Sequence, residues 1–214
     1  TRHPIGEYTF CIPPQYVVFS ERNFPDQPGS GYDVSEPGGW VLITFPLEQI
    51  LNHAPEFQKK IPTSADHTST EYFHQKISVM VTAAHSLDAL KQNILAGQGT
   101  FPNLNLVADP TTGMSRLMGD SQIYPEWLFV HPLPNGTLDL RGERWLWGGC
   151  YARGARQSER FDCFRYLRHA GLSMQYSIAE VNMPHYPAID RMILQQLKQW
   201  ECSKPSKSDG WDDI

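Results

Sequence analysis

Apolar and polar positions alternate over several strand-length runs of this chain. Tyr8-Thr9-Phe10-Cys11-Ile12, halted by Pro13-Pro14, and Tyr16-Val17-Val18-Phe19 are β-branched and aromatic segments that predict strands. Residues 20–39 are rich in Pro and Gly and predict a long loop that embeds Phe24 and Tyr32. Trp40 to Phe45 and Lys76 to Ala84 predict two further strands. Ser86 then offers an N-cap, and the apolar spacing that follows predicts a helix near 87–96, ended by Gly97.

The second half follows a similar order. Trp127-Leu128-Phe129-Val130 and Thr137 to Leu140 flank Pro134-Asn135-Gly136, and Asn-Gly is a strong hairpin signal. Segments 144–151, 161–168 and 171–178 predict three more strands. Pro187 suits a first helical turn, and Ile189, Ile193, Leu197 and Trp200 recur every three or four residues. That spacing predicts a helix near 187–201 with this stripe packed on a sheet. The fold class expected is therefore α+β, with antiparallel sheet and one helix closing each half. The expected organisation is a β-rich half over 1–110, a second over 111–202, and a polar tail over 203–214. Strand followed by helix closes both halves, which fits either an internal duplication or coincidence in an α+β chain.

Composition narrows the class. Among 214 residues, 40% are hydrophobic and 19% charged, the balance of a folded chain. Apolar runs stay well short of the roughly 20 residues that a membrane-spanning helix needs. A net charge of −5 argues against a nucleic-acid partner. Its distribution is uneven. Residues 141–168 carry seven arginines, no lysine and three acids, whereas residues 1–140 carry 14 acids and seven bases.

Arginine is enriched where bidentate contact or aromatic stacking matters. Arg141, Arg144, Arg165 and Arg168 read as the solvent side of strands whose Trp145, Trp147, Phe161 and Phe164 pack inward. Arg153, Arg156 and Arg160 crowd a short loop and read as partner contacts, with Phe24 and Tyr32 as apolar anchors. The alternative is a structural hairpin whose arginines all face water.

Four cysteines, Cys11, Cys150, Cys163 and Cys202, form no Cys-x-x-Cys pair, which disfavours zinc ribbons and thioredoxin-like motifs. They allow three pairings. Cys150–Cys163 would bracket the polar tract 151–162, leaving Cys11–Cys202 to tie the first strand to the end of the last helix. Four free thiols in a cytosolic protein is the alternative, and the even count with a bracketed loop favours an oxidising compartment. The chain opens Thr1-Arg2-His3-Pro4 without an initiator Met, as expected of a processed or trimmed chain.

Signatures of chemistry are few. Gly-x-Ser-x-Gly, His-Glu-x-x-His, the phosphate-binding loop and Gly-x-Gly-x-x-Gly are all missing from the sequence. His67 and His74, beside Asp66 and Glu71, form the densest histidine group; a polar connection before a strand explains it better than a metal site. No catalytic residue, cofactor or metal is therefore expected.

Gly6 to Pro13 and the run from Trp147-Gly148-Gly149-Cys150 to Trp200 resemble the periplasmic immunity proteins that bacteria pair with type VI secretion effectors, especially those guarding against lipase effectors. The resemblance covers about half the chain and carries over no functional residue. It implies a periplasmic or lipid-anchored, non-enzymatic binder that blocks an effector's active site, any lipidated cysteine lying before Thr1. An envelope hydrolase with an unrecognised site and a structural envelope lipoprotein are the competing readings.

Overall fold

The structure is a computed structural model that describes residues 1–20, 39–61, 72–73, 75–84, 87–96, 105–110, 112–119, 126–131, 140, 145–152 and 161–203. The strands are β1 (Arg2–Ile5), β2 (Tyr8–Cys11), β3 (Val17–Ser20), β4 (Trp40–Pro46), β5 (Lys60–Ile61), β6 (Tyr72–Phe73) and β7 (Lys76–Ala83). They continue as β8 (Leu106–Ala108), β9 (Ser115–Met118), β10 (Glu126–Val130), β11 (Leu146–Ala152), β12 (Phe161–His169), β13 (Leu172–Ala179) and β14 (Glu201–Ser203). Helices are α1 (Leu47–His53), α2 (Asp88–Leu95) and α3 (Tyr186–Trp200), the last preceded by a 3-10 turn over Glu180–His185.

Nine strands form one antiparallel sheet in the order β3-β4-β7-β13-β12-β11-β10-β9-β8. A second sheet, β1-β2-β14, brings the start of the chain against its end, and β5-β6 form a two-stranded ribbon. The class is α+β.

Alternation along the strands decides which face each side chain takes. Val41, Ile43 and Phe45 of β4, Ile77, Val79 and Val81 of β7, and Met174, Tyr176 and Ile178 of β13 all point to one face. There they meet the apolar stripe of α3, Ile50 of α1, Ile5 and Phe10 of the small sheet, and Ile12 just after β2. Ile189, Ile193, Leu197 and Trp200 are all buried, as the helical spacing predicts. Leu117, Leu128, Val130 and Leu146 point to the opposite face, where they cluster with Ile94 of α2. The strand-then-helix order thus recurs as β7–α2 and β13–α3, with β7 and β13 adjacent and the two helices on opposite faces.

Three local features depart from the sequence reading. Helix α1 follows Pro46 directly, within a stretch too short for apolar periodicity to reveal. The last helix stops at Trp200, and Glu201 begins a strand completed by pairing with β2. β10 has β9 and β11 as its two neighbours, and its partner on the β11 side is 146–151. Most of the Asn-Gly tract, residues 132–139, lies outside the described residues. Among the described residues, Ala170-Gly171, with φ of +49° and +77°, makes a tight turn between β12 and β13. Positive φ at both central positions matches the right-handed twist of the flanking strands.

Candidate functional site

Arg153, Arg156, Arg160, Phe24 and Tyr32 all lie outside the described residues, as do His67 and His74. Their flanking strands fix where the two segments join the sheet. Residues 153–160 join β11 to β12, and residues 21–38 lie between β3 and β4. Register runs from Ser20 through Val41, Val81 and Met174 to Leu167. The 21–38 segment therefore leaves the sheet at the level of Leu167, whereas 153–160 departs at Phe161. Six residues of extended strand span about 20 Å, so the two segments leave from opposite ends. Among the described residues no group of three or more His, Cys, Asp or Glu side chains is placed to hold a metal ion.

The stem of the 153–160 segment is the best-built part of this region. Cys150 and Cys163 are direct cross-strand neighbours, joined by a disulfide with a Cα–Cα distance of 4.0 Å. Both are buried with Trp127, Phe129, Trp147 and Met183. Close strand approach here requires glycine. A Cβ on Gly148 would lie 2.0 Å from the Phe164 carbonyl oxygen, and one on Gly149 would lie 2.7 Å from that of Trp127. The other disulfide is Cys11–Cys202, across the small sheet.

On the α2 face of the same hairpin, Tyr151, Phe164 and Tyr166 make a ladder of rings. Centroids are 6.3 Å apart for the first pair and 5.4 Å for the second, which is edge-to-face. Tyr151 is exposed while Phe164 and Tyr166 are half-buried. Glu126 and Asp162 flank Tyr151 in the register, and Asp162 is buried. An exposed aromatic next to an arginine-rich segment has the composition of an interaction hot spot.

Burial pushes the Glu126 carboxyl up from its ordinary value of 4.5. An acid raised in this way holds more protons folded than unfolded above that value. Its contribution to stability therefore falls as pH rises from 4.5 through the folded pKa, and vanishes below 4.5. Glu126→Gln should raise the thermal midpoint at pH 7.5 and leave it unchanged at pH 4. Equal midpoints for variant and parent at both pH values would show that this carboxyl is fully solvated.

The opposite face overturns one expectation. Arg165 does not point to water; its side chain is only 13% exposed. On β12 it shares parity with the inward-facing Cys163 and Leu167, which was the signal available in the sequence. Its Nε and Nη2 donate to Asp190 Oδ2 of α3 at 3.1 and 2.9 Å, and its Nη1 donates to the Trp147 and Tyr166 carbonyls. The guanidinium also lies 4.9 Å over the Trp147 ring. Tyr176 completes the network by donating to Asp190 Oδ1 at 2.7 Å. Burial, then the Asp190 charge, holds its phenol well above its usual range.

A second arginine, Arg116, lies 4.6 Å over Trp127 and pairs with the buried Asp109 at 3.1 Å and Glu180 at 3.5 Å. Glu180 lies 64 residues from Arg116, and Asp190 lies 25 from Arg165, so neither pairing carries a local sequence signal; Asp109, seven residues before Arg116, is the near partner. These networks pin α3 and the 3-10 turn to the sheet and give the hairpin stem a rigid backing.

No family model and no curated protein matches the chain. One solved structure is similar over nearly the whole of it: an immunity protein of the Stenotrophomonas maltophilia type IV secretion system. The TM-score is 0.50 and the sequence identity 12%, with 95% of this chain and 93% of that one covered. The likeness is one of fold. At 12% identity it transfers no individual residue.

Proposed function

We propose that this chain is a periplasmic immunity protein that binds a secreted antibacterial effector and blocks it stoichiometrically, without chemistry of its own. The observation that carries the reading is the near full-length fold likeness to a secretion-system immunity protein. Two disulfides fit an oxidising compartment, and no described helix is long and apolar enough to cross a membrane. A lipid anchor upstream of residue 1 belongs to the same proposal.

The contact surface proposed is the β11–β12 hairpin. Its tip carries Arg153, Arg156 and Arg160, which would meet acidic groups of the effector, and Tyr151 stands beside it as an apolar anchor. Bracing the stem by a buried disulfide lowers the ordering cost of binding. The segment that carries Phe24 and Tyr32 joins β3 and β4 at the other end of the sheet, and these two residues would make a separate contact. A few desolvated arginine and aromatic contacts suffice for nanomolar affinity, roughly −12 kcal/mol.

The effector class is the finer part of the proposal. The resembling family opposes type VI lipase effectors, while the similar structure belongs to a type IV system. The experiment therefore uses any toxin candidate encoded beside the gene for this chain, made as an inactive variant for calorimetry and in active form for killing assays. One-to-one binding and protection of sensitive cells are expected. Lipase activity of that toxin would support the lipase assignment, and its export route would separate type VI from type IV.

Arg156→Glu with Arg160→Glu, and separately Tyr151→Ala, should each weaken binding at least about tenfold, or about 1.4 kcal/mol. Unchanged affinity in both variants would remove the hairpin as the contact. Turnover of lipid, peptide or glycan by the purified protein would overturn the immunity reading itself.

A further inference from the structure

The two disulfides sit in opposite surroundings. Cys150 and Cys163 are 1% and 0% exposed, inside the cluster of Trp127, Trp147 and Met183. Cys11 and Cys202 are both exposed. Thiol–disulfide exchange requires a thiolate to reach a sulfur along the S–S axis, so access separates the two bonds before any difference in intrinsic reactivity does.

The exposed bond also spans a short strand junction. β14 is the edge strand of the small sheet and meets β2 at Glu201–Phe10 and Ser203–Thr9 alone, with an irregularity at Cys202 between them. A three-residue, bulged edge strand has little backbone pairing of its own. Two acids share this end of the sheet: after burial itself, the charges of Glu201 and Glu7 push the Tyr8 phenol up. The α3 helix just before it needs no such help, because Ile193, Leu197 and Trp200 are buried in the main core.

We propose that Cys11–Cys202 is a redox clasp: a dithiol opens it selectively, β14 leaves β2, and the main sheet with its Cys150–Cys163 hairpin stays closed. The thiolate of the dithiol attacks one sulfur and expels the other as a thiolate. Its second thiol then resolves the mixed disulfide. Cys11 and Cys202 gain two electrons and two protons, and the dithiol becomes a disulfide. The opened form bares the β2 edge at Thr9 and Phe10, a backbone template that the clasp otherwise covers. The device acts on the fold and stands whether or not an effector binds.

The test is timed alkylation of the folded, full-length protein in dithiothreitol, followed by peptide mapping. Cys11 and Cys202 should label together, at least tenfold faster than Cys150 and Cys163. Hydrogen exchange of the same sample should accelerate at least tenfold over residues 9–11 and 201–203, while β12 and β13 keep their protection. Equal labelling of all four cysteines would overturn the selectivity. Unchanged exchange over 9–11 and 201–203 after Cys11 and Cys202 are labelled would overturn the opening. Cys11→Ser with Cys202→Ser should reproduce the exchange pattern without reductant. Should that double variant fail to fold, the native labelling and exchange measurements decide alone.

Discussion

Replacing Asp190 with alanine is expected to destabilise the protein by about 3–5 kcal/mol, the usual cost of stripping one partner from a buried ion pair. Asp190 is 8% exposed and receives three hydrogen bonds, two from Arg165 and one from Tyr176. Without it the Arg165 guanidinium keeps its carbonyl partners and the faces of Trp147 and Tyr186, and Tyr176 loses its acceptor. The loss comes from an uncompensated charge and not from the intrinsic worth of the pair. Arg165→Met with Asp190→Leu should therefore recover much of it. Denaturant midpoints of the single and double variants measure both effects. A shift below about 1 kcal/mol for Asp190→Ala would mean that water reaches the guanidinium and that the network does not hold α3 to the sheet.

Trp200→Ala should cost a similar amount, about 3–5 kcal/mol, through a different mechanism. The indole is 7% exposed and lies 6.0 Å from Phe45 in a parallel stack and 4.8 Å from Tyr16. Truncation would leave a cavity between α3 and the start of the nine-stranded sheet. In a chain of this size the thermal midpoint should fall on the order of 10 °C. Arg191 and Lys198 lie exposed on the same helix, and their alanine variants should stay within about 0.5 kcal/mol of the parent. A midpoint untouched by Trp200→Ala would show that the helix buries some other face.

The difference between these two positions shows where the sequence is legible. Trp200 belongs to a stripe that repeats every three or four residues, so both its helix and its burial can be read locally. The same holds for β4, β7 and β13, whose alternation survives into the sheet within a residue or two. Arg165 misled because its neighbours within the strand include aromatic residues of both parities. An arginine next to Phe164 and Tyr166 looks like the outward member of an alternating strand. Only Asp190 and Tyr176, brought in from α3 and β13, make the inward position affordable.

The hairpin was partly legible. Cys150 and Cys163 bracket a polar tract, and the structure pairs them directly across two strands. The Asn-Gly tract over 132–139 lies outside the described residues, and β10 pairs on its two sides with β9 and β11.

Local periodicity, cysteine number and the clustering of arginines together specify an α+β chain with a terminal amphipathic helix, a bracketed polar hairpin and a basic segment within an acidic molecule. Those features follow from interactions between residues close in sequence, where spacing alone decides which side chains share a face. The sheet order, the opposite-face placement of α2 and α3, and the buried Arg165–Asp190–Tyr176 network were decided by tertiary structure. So was the contrast between one buried and one exposed disulfide. Each depends on which distant segment covers a given face, and the free energy of burial is settled only when both surfaces have met.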